Sequence, residues 1–489
     1  MVAAEFPSMP GLLRRHSATA LALFFVAVAA AQPQLPPLPL PPVPSANPIT
    51  EPKRLLGKTL FWDEQLSSDN TVACGTCHRP GRQGTDPRVG RHPGHDNLFN
   101  TEDDVLGSPG VVAMDENLNP VEDPIYGFDV QVTRRTALPV VMAAYSTAAQ
   151  FWDGRRNGTF VNPETGAVSI SSGAALENQS VEPILNSVEM GHQGRTWTHV
   201  RQKLEVVRPL ALASNLPPDL AAGLANDPSY PELFEAAFGT PDITAERIAF
   251  AIATYERTLV PNQTPWDRFN AGETTALTPA QQAGLATLLA PASRCGVCHS
   301  GSQFTDHSFR NIGLRPLEED EGRYEVTNLT PDRGRFKTPT LRNVGLKTRF
   351  MHTGQFISLE QVMDFYLATN GQEQFPTNQD PLVRAISIPA EQVANLIDFM
   401  RNGLTDPRVA NEEFPFDRPT LRSELLDGDL NCDGVVSVSD ISPFVMLLTN
   451  PADYASTYPG CSPAAADLNL DGLITVGDIG AFVSLLTGG

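Results

Sequence analysis

Cys74-Gly75-Thr76-Cys77-His78 and Cys295-Gly296-Val297-Cys298-His299 are two copies of one pattern, Cys-x-x-Cys-His, and together they hold four of the six cysteines in the chain. On a helical turn, residues i, i+3 and i+4 share a face. Two sulfurs and an imidazole at that spacing can meet one flat cofactor, the sulfurs bonding its vinyl groups and the histidine reaching its iron.

A structural zinc site would need four ligands closing tetrahedrally, and a redox dithiol does not require the following histidine. Two repeats of the full pattern in a chain with nine histidines favour covalent haem at both. Cys74, Cys77 and Cys295, Cys298 are then the attachment points, and His78 and His299 the iron ligands. Two haems imply electron transfer or oxygen chemistry, and the sixth ligand and distal groups decide which.

Outward from the motifs the periodicity is helical. Thr278-Pro279-Ala280-Gln281 and Ser358-Leu359-Glu360-Gln361 are capping-box starts. Stripes at Ile248, Ile252, Tyr255, Leu259 and at Val393, Leu396, Ile397, Met400 read as buried helix faces, the second closed by Gly403. No alternating strand pattern competes, so the fold class is mainly α. Residues 91–130 read as an irregular loop, in which Asp96 to Asp104 is either a calcium loop or a solvated turn.

A chain of 489 residues suggests about three domains. Arg14, Arg15 and the apolar run ending at Ala31 make residues 1–31 a signal peptide, and no later run is long enough to span a bilayer. The mature chain is expected to be exported, to the periplasm or beyond. Residues 32–47, rich in proline, read as a stiff spacer. A net charge of −21 argues against nucleic acid, whose phosphates need clustered Lys and Arg. The remaining divisions are 48–265 and 266–412, one haem motif each, a linker at 413–428, and a tail at 429–489.

The tail contains a repeat. Asp429, Asn431, Asp433, Ser437 and Asp440 stand at positions 1, 3, 5, 9 and 12 of a loop with Gly434 at 6; Asp467, Asn469, Asp471, Thr475, Asp478 and Gly472 repeat them. Alternating oxygen ligands around a glycine turn suit calcium ions. Each loop leads into an apolar helix, and Cys432 and Cys461 are free to pair in an oxidising compartment.

The chain resembles the bacterial di-haem cytochrome c peroxidases, including the MauG-like enzymes, over most of residues 50–405. The resemblance rests on Leu56-Gly-Lys-Thr-Leu-Phe61, Phe151-Trp152-Asp153-Gly154-Arg155, Gln179-x3-Pro183-x5-Glu189-Met190, and Gly334 to Val344 leading into Met351-His352-Thr353-Gly354. It implies two packed mono-haem cytochrome c-type domains, the first haem peroxidatic and the second electron-transferring. It also implies Trp152 between the haems and Glu189 as the distal acid, with Gln179 and Pro183 around the same pocket. The activity implied is reduction of hydrogen peroxide with electrons from a cytochrome or other redox partner. The alternatives are MauG-like oxidation of a partner protein through high-valent haems, or a non-enzymatic electron carrier.

The departures are specific. His92 and His95 both lie in the region of the distal histidine of the peroxidase branch, whereas MauG-like members leave that haem open. At the second haem the family's ligand position falls on Tyr366, with Met363 one turn earlier on the same stripe. The asparagine that helps hold an inter-domain calcium falls on Ala137. His192, His199 and His307 read as ordinary surface or core residues. The duplicated tail looks like a dockerin, a small α-helical module with EF-hand-type calcium loops, which implies a cohesin-type partner.

Overall fold

Each haem motif follows a helix that crosses a later helix through a glycine. In the computed structural model, a Cβ on Gly57 would stand 1.9 Å from the Ala251 carbonyl oxygen, and one on Gly284 would stand 2.1 Å from that of Asn395. Only glycine permits backbones that close, and the two crossings organise two separate cores.

The structure describes Met1 and residues 35–372, 374–459, 461–469 and 473–487. The signal-peptide reading, Met1 aside, and the Leu470, Asp471 and Gly472 positions lie outside the described residues. Among those described, no helix is long and apolar enough to cross a membrane.

The first core is built on α1 (Glu51–Trp62), α2 (Cys74–Cys77), α3 (Ala175–Ser180) and α4 (Ala245–Glu256). Leu56 and Leu60 of α1 meet Ile248 and Ile252 of α4 in that core, all buried. Removing each leucine side chain from water contributes about 1.5–3 kcal/mol. The second core is built on α5 (Pro279–Leu289), α6 (Cys295–Cys298), α7 (Leu359–Leu367) and α8 (Ala390–Asp398). The capping box forms at α5, with Gln281 N–H donating to Thr278 Oγ1 at 3.2 Å and Thr278 N–H to Gln281 Oε1 at 3.1 Å. At α7, Ser358 Oγ accepts from Gln361 N–H at 3.2 Å. Beyond α8 the chain widens into a π-helical turn, Phe399–Gly403.

Strand structure among the described residues is confined to five small antiparallel ribbons. One pairs β1 (Gly90–His92) with β2 (Val105–Gly107), so the 91–130 stretch is partly ordered by strand pairing. The expectation of a mainly α fold holds, with few and small sheets.

Two segments read as linkers are not free. Leu35 packs on the second core and Leu38 on the first. Asn270 exchanges hydrogen bonds with the Leu35 backbone at 3.0 and 2.7 Å, Tyr145 Oη donates to the Pro39 carbonyl at 2.6 Å, and Asn47 is fully buried. Proline lacks N–H but keeps its carbonyl, and Tyr145 of the first core and Asn270, next to Phe269 on the second, donate to this strap. The 413–428 segment likewise returns to the first core. Phe416 and Leu421 join its core, and Glu64 accepts from the backbone N–H of Arg422 at 2.7 Å and of Ser423 at 3.0 Å. Glu424 ion-pairs with Arg79, the residue after His78.

The tail forms a third small core around α9 (Ile441–Thr449) and α10 (Ile479–Thr487). Phe444 and Phe482, at equivalent positions of the two repeats, stack at 4.4 Å, so the duplication is visible in packing as well as sequence. Cys432 and Cys461 form a disulfide with Cα atoms 5.7 Å apart.

Candidate haem sites

The two Cys-x-x-Cys turns open into two separate cavities. Cys74, Cys77 and His78 line the first, with Gln179, Pro183 and Glu189; Cys295, Cys298 and His299 line the second, with Met363 and Tyr366. The sequence-derived ligand sets are therefore gathered as two groups.

Both histidines are oriented alike. His78 Nδ1 donates to the Gly84 carbonyl at 2.9 Å and His299 Nδ1 to the Phe304 carbonyl at 3.2 Å. Fixing the proton on Nδ1 leaves the Nε2 lone pair for iron, the usual support given to a metal-bound histidine. A turn that presents two thiols beside such an imidazole, at the wall of a large cavity, fits a covalent haem at each motif.

The first cavity contains buried acid. Glu189 Oε2 is buried and makes no hydrogen bond. Burial pushes its carboxyl up to about 7, with Arg155 pulling it down and Glu182 adding to the rise. Arg155 is held by Glu182 at 2.7 Å and by Asp153 at 3.2 Å. Glu256 of α4, not singled out by sequence reasoning, lines the same cavity with an unpartnered oxygen, and burial pushes it up to about 8.

His92, not His95, lines this cavity; His95 lies exposed in the turn beyond β1. In that turn Asp103 accepts from the backbone N–H of His95 at 2.5 Å and Asp96 at 2.9 Å, so its carboxylate closes the loop on itself. Ala137 lines the first cavity without a donor atom in its side chain.

Trp152 lines both cavities and is 6% exposed. Its indole N–H donates to the Thr136 carbonyl at 2.8 Å, and its own carbonyl accepts from Lys337 N–H at 2.8 Å. Thr136 N–H in turn donates to the His352 carbonyl at 2.8 Å, so the tryptophan and its partner are tied to the 337–352 stretch at both points. Arg135 clamps Asp320 at 2.6 and 2.7 Å and reaches Asp153 at 2.6 Å. Burial alone would raise the Asp320 carboxyl, but the Arg135 hydrogen bonds and charge outweigh it and hold the group at about 2. Burial keeps the His352 imidazole neutral, pushed down to about 3, with Asp320 opposing the shift and Arg135 adding to it.

In the second cavity Tyr366 and Met363 both reach the wall, one turn apart on α7. Burial pushes the Tyr366 phenol well up, and the Cys295 and Cys298 sulfurs, which line the same cavity, add to it. His192 bonds Ser68 Oγ at 2.9 Å and His307 bonds Gln303 at 2.6 Å, away from either motif's ligand set, in keeping with structural roles.

In the tail Asp440 is fully buried, and its oxygens accept from Leu430, Asn431 and Ser437 N–H at 2.8, 3.1 and 2.9 Å. Asp429 accepts from Asp433 and Gly434 N–H at 3.2 and 2.9 Å. Asp478 repeats the Asp440 bonds, accepting from Leu468 N–H at 2.8 Å and Thr475 N–H at 2.9 Å. Among the described residues no group of three or more His, Cys, Asp or Glu is drawn together around a common point.

Residues 51–275 match the family model described as di-haem cytochrome c peroxidase. The chain is 31% identical to the methylamine utilization protein MauG of Methylorubrum extorquens over 339 residues, 69% of this chain and 74% of that one. It is 28% identical to the cytochrome c551 peroxidase of Nitrosomonas europaea over 330 residues, covering 67% and 76%. Its fold is similar to the crystal structure of a MauG-like protein associated with microbial copper homeostasis, with a TM-score of 0.54 and 23% identity, covering 79% of this chain and 98% of that one. With paired haem-type cavities, a tryptophan common to both and these relatives, the chain belongs to the di-haem cytochrome c peroxidase family and is an oxidoreductase of the peroxidase type.

Proposed function

We propose that the protein is an exported di-haem peroxidase that reduces hydrogen peroxide to water, taking two electrons and two protons per peroxide. The observation that carries this reading is Glu189, a buried carboxyl with an unpaired oxygen in the cavity of Cys74, Cys77 and His78.

Bound haem would supply the iron that receives peroxide and the electrons that break its O–O bond. Cys74, Cys77 and His78 would hold the first, and Cys295, Cys298 and His299 the second. Glu189 accepts the proton of the inner peroxide oxygen and returns it to the outer one, so the outer oxygen leaves as water. A carboxyl at about 7 is matched to both halves of that transfer at neutral pH. Gln179, on the same wall, orients the peroxide. Trp152, common to both cavities, relays electrons between them. The donor is a cytochrome or another redox protein.

A second reading, oxidation of a partner protein in the MauG manner, is favoured by Tyr366. A phenolic oxygen ligand favours higher oxidation states of iron, whereas the Met363 thioether would favour the reduced state. The tail's two loops support calcium binding at Asp429, Asn431, Asp433 and Asp440 and at Asp467, Asn469, Asp471 and Asp478, in a dockerin-like module that docks to a cohesin-type partner.

The deciding experiment is optical and EPR spectroscopy of the holoprotein before and after one equivalent of peroxide. A high-spin haem that reacts at once, and fails to do so in Glu189→Gln, supports the peroxidase. Two low-spin haems inert to peroxide, even after one is reduced, would make the protein an electron carrier.

A further inference from the structure

The second cavity is apolar over most of its wall, with Leu288, Ile312, Val362 and Leu396 among its lining, yet two lysines open onto it. Lys337 is 8% exposed, and its ammonium donates to the hydroxyl of Ser146, a neutral partner from the first domain. Lys347 lies with its ammonium 6.0 Å from the centre of the Phe350 ring. Among the described residues no carboxylate acts on either; burial alone pushes Lys337 down to about 7 and Lys347 to about 8.

The other cations at this wall are differently placed. Arg310 is already paired with Asp306 at 3.1 Å and Asp380 at 2.9 Å, and Arg294 is exposed. A buried ammonium without an anion is strongly unfavourable, and native proteins pair it or let it lose its proton. Two ammoniums without a carboxylate partner among the described residues, Lys337 buried and Lys347 half-buried, at the wall of one apolar cavity indicate that the cavity's occupant brings two negative charges. Haem c does so through its two propionate side chains.

We propose that Lys337 and Lys347 form the carboxylate-binding pair of the second cavity, taking the two propionates of the haem attached at Cys295 and Cys298. The inference rests on reading that cavity as a covalent haem site. Because Lys337 N–H also holds the Trp152 carbonyl, the lysine fixes the propionate edge next to the tryptophan common to both cavities. Cations at that edge also stabilise the added electron, so the pair raises the reduction potential of the second haem.

The test uses the full-length holoprotein. Pyridine haemochrome counting comes first: fewer than two haems per chain in the wild type would overturn the haem reading itself. With two haems present, spectroelectrochemical titration of Lys337→Gln and Lys347→Gln is expected to shift the second haem's reduction equilibrium tenfold or more toward the oxidised form. That is about 59 mV for a one-electron couple. The first haem should move less, and Lys→Arg at either position should restore the potential. Full haem loading with both potentials unchanged in the glutamine variants would overturn the proposal alone. If the variants fail to accumulate, redox-difference infrared spectra of wild type with isotope-labelled propionates decide the matter. Ionised carboxylate bands at neutral pH are expected, and a protonated carboxyl band would overturn the pairing.

Discussion

The rings of Trp152 and His352 meet edge to face, with centroids 6.1 Å apart and planes at 62°, while His352 lies flat on Phe336 at 3.6 Å. Trp152 lines both cavities, whereas His352 and Phe336 line the second alone, so the tryptophan joins the first cavity to a three-ring aromatic cluster at the second. Replacing Trp152 with Phe keeps the packing and removes the most easily oxidised ring. Electron exchange between the haems should slow by at least tenfold in stopped-flow traces, with haem content and both potentials unchanged.

The acid in the first cavity carries a pH dependence whose sign follows from burial. Burial lifts Glu189 to about 7, so below that pH it is protonated and above it ionised. Only the ionised form accepts the inner proton of peroxide. The second-order rate with peroxide should therefore rise through about pH 7 and level off above it. Glu189→Gln should lose this limb and react about 10²–10⁴-fold more slowly.

The ligand at the second haem is decided by two substitutions on α7. Tyr366→Phe should convert the low-spin signature of the second haem in EPR and magnetic circular dichroism, while Met363→Leu leaves it intact. The opposite result would assign the thioether.

The strap caps a buried ion pair between Glu177 and Arg257 through Asn47. Glu177 accepts from Arg257 at 2.7 and 2.9 Å and from Asn47 Nδ2 at 3.0 Å, and both charged side chains are almost wholly excluded from water. Removing one partner leaves an uncompensated buried charge. Glu177→Gln should destabilise the holoprotein by about 3–5 kcal/mol in denaturant titrations, with unchanged haem spectra in the native state.

Calcium binding in the tail is measurable on the full chain by calorimetry. Two ions per chain are expected, with Asp440→Ala and Asp478→Ala each removing one. At about a hundredfold excess over Kd, calcium should stabilise the tail by about 2.7 kcal/mol, an effect that EDTA reverses.

The cofactor chemistry and the helical class were legible in the residues themselves. Cys-x-x-Cys-His works through i, i+3 and i+4 spacing on one turn, and the caps at Thr278 and Ser358 act within four residues, so neither needs the rest of the fold. The duplicated tail was legible for the same reason. What the tertiary structure alone decided depends on elements distant in sequence. The proline-rich strap and the 413–428 segment read as linkers because few of their own residues demand burial, yet Tyr145, Asn270 and Glu64 supply partners that no local pattern reveals. His92 and His95 are three residues apart, and only the β1–β2 pairing sends one to the cavity and the other to solvent. Lys337 stands in a quoted family block, but its lack of a carboxylate is a property of everything packed around it. Local spacing determines which groups can share a face; burial and pairing are set by the whole fold.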